Sequence, residues 1–267
     1  MFLNWLTLLQ ILKLNLLTFY SRSPKIAGRY TFNVIFVHHP CYEEKEGVYT
    51  YTASEQEKNP TFVKGFGHND TPFMDSLFAK AVSAYGNTVT KDKLPDIIHC
   101  QDASCALVPC FAQKNDVFNK TAFVVTIHNA GPAYHHNFSS IGEAAWYTSL
   151  PEAELAGALN DLKVEPFLLA ANAGAHITTV SEHYAKELID PFNIDETEGL
   201  SPIFFNRYTN IKGITNGIDF ERYDPTDKKE SHLPFEVDDP PKIAGRYTKN
   251  LVYKIKRTCK NSRFKAC

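Results

Sequence analysis

Asp96-Ile-Ile-His-Cys100, closing on Gln101-Asp102, is the stretch on which the fold turns. It is an apolar run of strand length that stops on polar residues and leads into a helical stretch from about Ser104 to Gln113. The same pattern recurs downstream. Ala122-Phe-Val-Val-Thr-Ile127 ends in His128-Asn129, and helices around Gly142 to Tyr147, Pro151 to Leu159 and Glu165 to Ala173 lead to His176-Ile-Thr-Thr-Val180. Ser181 follows as the N-cap of a helix over Glu182 to Ile189, because its hydroxyl can accept from an unpaired amide of the first turn. Ile211 to Thr215 reads as a short last strand closed by the turn signal Asn216-Gly217. Upstream, Asn33 to Val37 reads as the first strand, and Pro72 to Tyr85 as a helix with Phe73, Leu77, Phe78 and Val82 on one face. Strands alternating with helices predict an α/β fold: a mainly parallel sheet with helices on both faces.

In such sheets ligands gather at the carboxyl ends of the strands, where loops converge and helix N-termini present their positive ends. The polar residues there are His99 and Asp102, then His128 and Asn129, then Ser181, and finally Asn216 and Asp219. Any one of them alone is an ordinary cap or turn residue. Together, on one predicted edge, they mark a candidate site.

Composition narrows the function classes. The 28 basic and 30 acidic residues leave a net charge of −2, so no global field steers the chain to nucleic acid or to an anionic membrane. The six cysteines include no Cys-x-x-Cys pair, and Cys100, Cys105 and Cys110 recur at an interval that is not a zinc spacing. They read as reduced, partly buried thiols of a cytoplasmic or plastid-like compartment. His38-His39 and His135-His136 lack a third ligand at metal spacing, so no metal and no cofactor is expected. Three Asn-x-Ser/Thr patterns, at Asn69, Asn119 and Asn137, are short enough to arise by chance and do not argue for secretion.

The ends differ from the middle. Met1 to Tyr20 is leucine-rich but interrupted by Asn4, Gln10, Lys13 and Asn15, and reads as an apolar helix rather than a signal peptide. Pro24-Lys-Ile-Ala-Gly-Arg-Tyr-Thr31 recurs without change as Pro241 to Thr248, too far apart for a solenoid repeat. Residues 249–267 carry seven Lys or Arg and no acid, and read as a solvated tail. The chain therefore divides into an atypical segment 1–31, a main domain 32–248 and a basic tail 249–267.

Several motifs carry a family resemblance. Asp96 to Asp102 with Ala106-Leu-Val-Pro109 resembles PDIIH-x-HDW-x-x-ALVP of the starch and glycogen synthases, and Thr126-Ile-His-Asn129 resembles their TIHN segment. Thr178-Thr-Val-Ser181 with Tyr184-Ala-Lys-Glu187 is similar to TTVS-x-x-YA-x-E, and Ile211 to Asp219 with Tyr223-Asp-Pro225 to GI-x-NGID followed by W/Y-x-P. Phe36-Val-His-His-Pro40 matches a strand and turn that precede these. The motifs stand in the family's order and at about its spacing.

The resemblance implies a Rossmann-like domain, the N-terminal half of a GT-B glycosyltransferase. It also implies a metal-independent, retaining transfer of glucose from ADP- or UDP-glucose to the non-reducing end of an α-1,4-glucan. By the same resemblance Asp102 matches an acidic residue near the reacting sugar, His128 one that hydrogen-bonds it, and Asn216 a donor contact; His99, Asn129, Ser181 and Asp219 fall in the donor- and acceptor-binding segments. The sequence also departs from the pattern. Gln101 replaces His, Ala103 replaces Trp, and Ala130-Gly-Pro-Ala-Tyr-His-His136 replaces Leu-Ala-Tyr-Gln-Gly. Residues 1–31 show no likeness to the Lys-x-Gly-Gly-Leu loop, and the second Rossmann domain is not found in the chain. The expectation is a partial synthase that binds donor only when the second domain is supplied, with a non-catalytic glucan-binding module or an inactive remnant as the alternatives.

Overall fold

β1 (Thr18–Arg22) runs antiparallel to β4 (Val34–His38), and within their connection β2 (Lys25–Ile26) pairs antiparallel with β3 (Tyr30–Thr31). The structure is a computed structural model that describes residues 18–22, 25–26, 30–31 and 34–218. Residues Met1–Thr215 make up one unit and Asn216–Cys267 a second, of which only residues 216–218 are described. All the described strands and helices lie in the first unit.

Two expectations change at this end. The last three residues of the supposed apolar helix, Thr18 to Tyr20, form strand; the rest of that segment lies outside the described residues. The predicted first strand forms as β4, but its hydrogen-bonded partner is β1 and not the parallel sheet. A neighbour close in sequence costs little loop-closure entropy, and no β4 side chain is fully buried to demand a place in a two-faced core.

The parallel sheet holds β5 (Ile97–Gln101), β6 (Ala122–Ile127), β9 (His176–Thr179) and β10 (Ile211–Gly213) in the spatial order β10-β9-β6-β5. A short antiparallel ribbon, β7 (Leu159–Asn160) with β8 (Lys163–Val164), lies between β6 and β9 in the chain. Each strand of the parallel sheet sits beside its predecessor, so the crossovers all step in one direction, and the general rule of right-handed connections puts helices so joined on one face. Burial follows that rule. Cys100, Phe123, Val125, Ile127, Ile177, Thr179 and Ile211 share one face and are buried. On the other face Ile97 is 59% exposed, and His99, Gln101, His176 and Lys212 are exposed as well. An α/β fold on a parallel sheet is what the alternation predicts, with this unequal cover.

The helices are α1 (Pro40–Glu43), α2 (Ala53–Lys58), α3 (Thr71–Gly86), α4 (Asp102–Ala106), α5 (Val108–Ala112), α6 (Ile141–Thr148), α7 (Glu152–Ala156), α8 (Pro166–Asn172), α9 (Glu182–Glu187) and α10 (Leu200–Asn206). The single helix expected over Ser104 to Gln113 is split at Leu107 into α4 and α5. Pro109 explains the break: it has no amide to donate to the carbonyl four residues back, and its ring crowds that turn. α3 is enclosed on more sides than an amphipathic stripe requires, and buries Asp75, Ser76, Leu77, Lys80 and Ser83. Phe167, Leu168 and Ala170 of α8 and Phe204 of α10 are wholly buried.

Burial of the thiols follows the same packing. Cys100 and Cys110 are buried and Cys41 and Cys105 partly so, all four free, and desolvation pushes Cys100 and Cys110 up to about 12, which leaves them unreactive thiols. Among the described residues no helix is long and apolar enough to cross a membrane.

Gly142 offers a first test. It lies exposed in the first turn of α6, and a methyl group there would meet only Ser140 Oγ at 3.8 Å. Gly142→Ala is expected to stabilise the domain by about 0.5–1 kcal/mol through lower unfolded-state entropy. Equilibrium urea denaturation reads this directly, and an unchanged or lower midpoint would contradict the helix geometry.

Candidate functional site

Each strand of the sheet delivers its following residues to the same edge. β5 ends at Gln101, and Asp102 turns the chain with φ of 56°, a left-handed conformation that aspartate tolerates better than most residues. That turn points the carboxylate at the end of β6, where Oδ1 accepts the His128 amide at 2.7 Å. His128 Nε2 donates to Gln101 Oε1 at 2.7 Å. Two adjacent strand ends are thus joined by two hydrogen bonds, and the sequence-predicted pair Asp102 and His128 is brought together.

The next residues are fixed equally firmly. Asn129 Oδ1 accepts the Gly131 amide at 2.8 Å, an Asx turn that uses the Asn129 oxygen locally. The amide of Ala130, a wholly buried residue, donates to Tyr184 Oη at 2.7 Å. Tyr184 comes from α9, whose N-cap is Ser181 as expected: Ser181 Oγ accepts the Tyr184 amide at 3.0 Å. Ser181 therefore contributes first as a cap, and through Tyr184 the cap orients the loop after β6.

The other predicted residues are placed differently. His99 is set back from the edge on the open face, where its Nε2 meets Thr126 Oγ1 at 2.6 Å and Thr126 meets Thr178 Oγ1 at 2.7 Å. This line crosses β5, β6 and β9, and does not bring His99 to His128. Asn216 is exposed and lies in the second unit, and Asp219, Tyr223 and Pro225 lie outside the described residues, as do Pro241 to Thr248 and the basic tail. Two pockets of about 290 and 370 Å³, the first flanked by Asn172 and Arg207 and the second by Cys110 and Lys114, include none of the predicted site residues.

Both histidines of His135-His136 find carboxylates. His135 Nδ1 meets Glu165 Oε2 at 2.5 Å and its Nε2 donates to the Ala130 carbonyl at 2.7 Å; His136 Nδ1 meets Asp75 Oδ2 at 2.6 Å. Burial alone would lower both imidazoles, but the hydrogen bonds and charges of Glu165 and Asp75 outweigh it and raise both. Among the described residues no group of three His, Cys, Asp or Glu side chains is placed to hold a metal ion. Tyr184, Gln101 and the His135–Glu165 pair were not among the residues the sequence singled out for a site. Only the partners' convergence in space reveals them.

The family model described as starch synthase catalytic domain matches residues 10–203. The chain belongs to this family. Glycogen synthase 2 of Geobacter metallireducens is 33% identical over 166 residues, covering 59% of this chain and 32% of that protein. Glycogen synthase of Halalkalibacterium halodurans is 29% identical over 205 residues, covering 75% of this chain and 36% of the relative. The chain thus spans about a third of the length of the curated relatives it matches. The catalytic domain of starch synthase IV from Arabidopsis thaliana, solved bound to ADP and acarbose, superposes with a TM-score of 0.60 at 21% identity, over 91% of this chain and 44% of that one. That likeness supports the GT-B fold. In this chain Gln101 holds His128, and Tyr184 and His135 hold the Ala130 peptide of the turn that follows it.

Proposed function

We propose that this chain is the N-terminal, acceptor-side part of a starch or glycogen synthase-type glucosyltransferase. It would move glucose from ADP- or UDP-glucose to the non-reducing end of an α-1,4-glucan, with retention, when a donor-binding half is supplied. The observation that carries this reading is the hydrogen-bonded pairing of Asp102 with His128 at the carboxyl edge of the parallel sheet. The Arabidopsis neighbour's ADP and acarbose support a nucleotide-sugar donor and a glucan acceptor.

The chemistry asks for three things: stabilisation of a departing diphosphate, a cradle for an oxocarbenium-like glucosyl group, and a groove for the acceptor. In its neutral form His128, donating from Nε2 to Gln101, keeps the Nδ1 lone pair to accept a sugar hydroxyl. Asp102 has one carboxylate oxygen engaged by the His128 amide, and the other favours positive charge developing at the sugar. Asn129 and Ser181 brace the same edge, His99 stands behind it on the open face of the sheet, and by the family resemblance Asn216 and Asp219 belong to the donor side. The diphosphate is held by the donor-binding half. The compartment that fits is the cytoplasm, or the plastid of a plant or alga.

The test joins this chain to the C-terminal half of the Geobacter metallireducens glycogen synthase 2 and supplies ADP-glucose or UDP-glucose with maltoheptaose. Elongation of the maltoheptaose is expected, and the Asp102→Ala, His128→Ala double variant should fall by about 10²-fold or more. Undiminished turnover in the double variant would remove both residues from the mechanism. Maltoheptaose binding without transfer by any completed form would instead make this a glucan-binding module.

A further inference from the structure

The peptide of Ala130 is gripped from both sides. Its amide donates to Tyr184 Oη and its carbonyl accepts from His135 Nε2, each at 2.7 Å. Two residues earlier, the His128 amide is fixed on Asp102. On its other edge the His135 ring faces Glu165 Oε2 at 2.5 Å, and Glu165 Oε1 accepts the Phe167 amide at 3.1 Å at the start of α8. His135 is 2% exposed and Glu165 is wholly buried.

A carbonyl and a carboxylate, one on each ring nitrogen, are both acceptors, so the bound ring carries two N–H groups and a positive charge. A buried ion pair of this kind is seldom the most stable way to fill its space, since apolar residues of the same volume do as well or better. What the pair supplies is direction: a charged, two-ended strut between α8 and one particular carbonyl. We propose that His135, oriented by Glu165, is a positioning residue that fixes the His128–Gly131 loop at the candidate sugar site. The role in sugar binding rests on the function proposed above; the role in holding the loop does not.

The groups facing the ring are Glu165 in direct contact, the more distant charge of Glu198, the Phe167 ring edge-on at 5.9 Å, and the Ala130 carbonyl. His135 is raised above its ordinary value, so the strut is complete below pH 6.5 and is lost as pH rises through the raised value. Above it, whichever nitrogen loses its proton turns a lone pair on an acceptor. Glu165→Gln reverses the requirement. A glutamine can accept the Phe167 amide with Oε1 and donate to His135 Nδ1, which leaves Nε2–H for Ala130 only when the ring is neutral.

The experiment is amide hydrogen exchange by NMR on the full chain, corrected for intrinsic rates. It follows His128 and Ala130, with Val125 in the central strand as reference, across pH 5.5 to about 9, well beyond the ordinary imidazole value. In the wild-type chain the two loop amides should open about tenfold more as pH rises, while Val125 does not. His135→Ala should open them about tenfold or more at every pH. Glu165→Gln should keep them closed at alkaline pH and open them on acidification, an inverted profile that a merely space-filling histidine would not give. Should His135→Ala fail to fold, the Glu165→Gln profile decides. Loop amides that track Val125 in all chains, or a Glu165→Gln profile with the wild-type sign, would overturn the proposal. Maltoheptaose titrated into the same samples separates the two readings: the expected exchange pattern without maltoheptaose binding by the wild-type chain supports the positioning and overturns the glucan function.

Discussion

Replacing Phe167 with alanine is expected to remove a large share of the stability of the domain. The side chain is wholly buried, and its ring stands edge-on to His135 beneath the β6 loop. Removing a buried phenylalanine costs about 3–5 kcal/mol through lost transfer energy and the cavity left behind. A domain of this kind has roughly 5–15 kcal/mol in total. With a urea dependence of about 2 kcal/mol per molar, the denaturation midpoint should fall by about 2 M. Phe192 is the control: at 91% exposed, its replacement by alanine should change stability by no more than about 0.5 kcal/mol. Equal midpoints for the two variants would mean that α8 does not pack as described.

Gly213→Ala should have the second largest effect, and for the opposite reason. A methyl group on Gly213 would lie 2.2 Å from the Ser181 carbonyl oxygen and 2.4 Å from the Glu182 amide nitrogen. Both are backbone atoms at the start of α9, so no side-chain rotation relieves the clash. β10 must move away from the helix, and inserted volume of this kind costs about 1–3 kcal/mol, occasionally more. The hydrogen bond from the Ile214 amide to the Thr179 carbonyl, 2.7 Å long, should be lost with it. A urea midpoint lowered by about 1 M together with fast exchange at Ile214 is the expected result. Protection of that amide equal to wild type would show that the strand and helix do not approach so closely.

Much of the fold can be read from local pattern. Ala122 to Ile127 holds five β-branched or aromatic residues in a row and then stops at His128, and a strand with a polar end is the plain reading. Ser181 announces a cap because the hydroxyl has a local job that needs no tertiary partner. Failures occur where distant residues decide. α10 was not anticipated, because Pro202 and the paired phenylalanines in Leu-Ser-Pro-Ile-Phe-Phe-Asn weaken a helical reading that burial of Phe204 restores. The β1 partner of β4 was masked by leucines that suggested helix.

The site divides in the same way. Asp102 and His128 were identified because each follows a strand, and parallel strands side by side bring their ends together. His135 and Glu165 are thirty residues apart and follow no strand of the parallel sheet directly. His135-His136 invites only a metal reading, which fails for want of a third ligand, and nothing local in the sequence signals that each histidine meets its own carboxylate.

The line from His99 through Thr126 to Thr178 has a consequence for how the chain finds its alignment. Parallel strands are joined by long crossovers, and these tether neighbours without dictating which residue lies beside which. A slip of one position in β6 would turn the Thr126 hydroxyl into the greasy layer and swing Val125 and Ile127 outward. Thr126 lies directly opposite Thr178 and diagonally across from His99, so three polar side chains that satisfy one another only in this register act as a vernier for the central strands. They penalise a misaligned sheet by leaving the hydroxyl of the buried Thr126 unanswered, and do so on the more exposed face of the sheet.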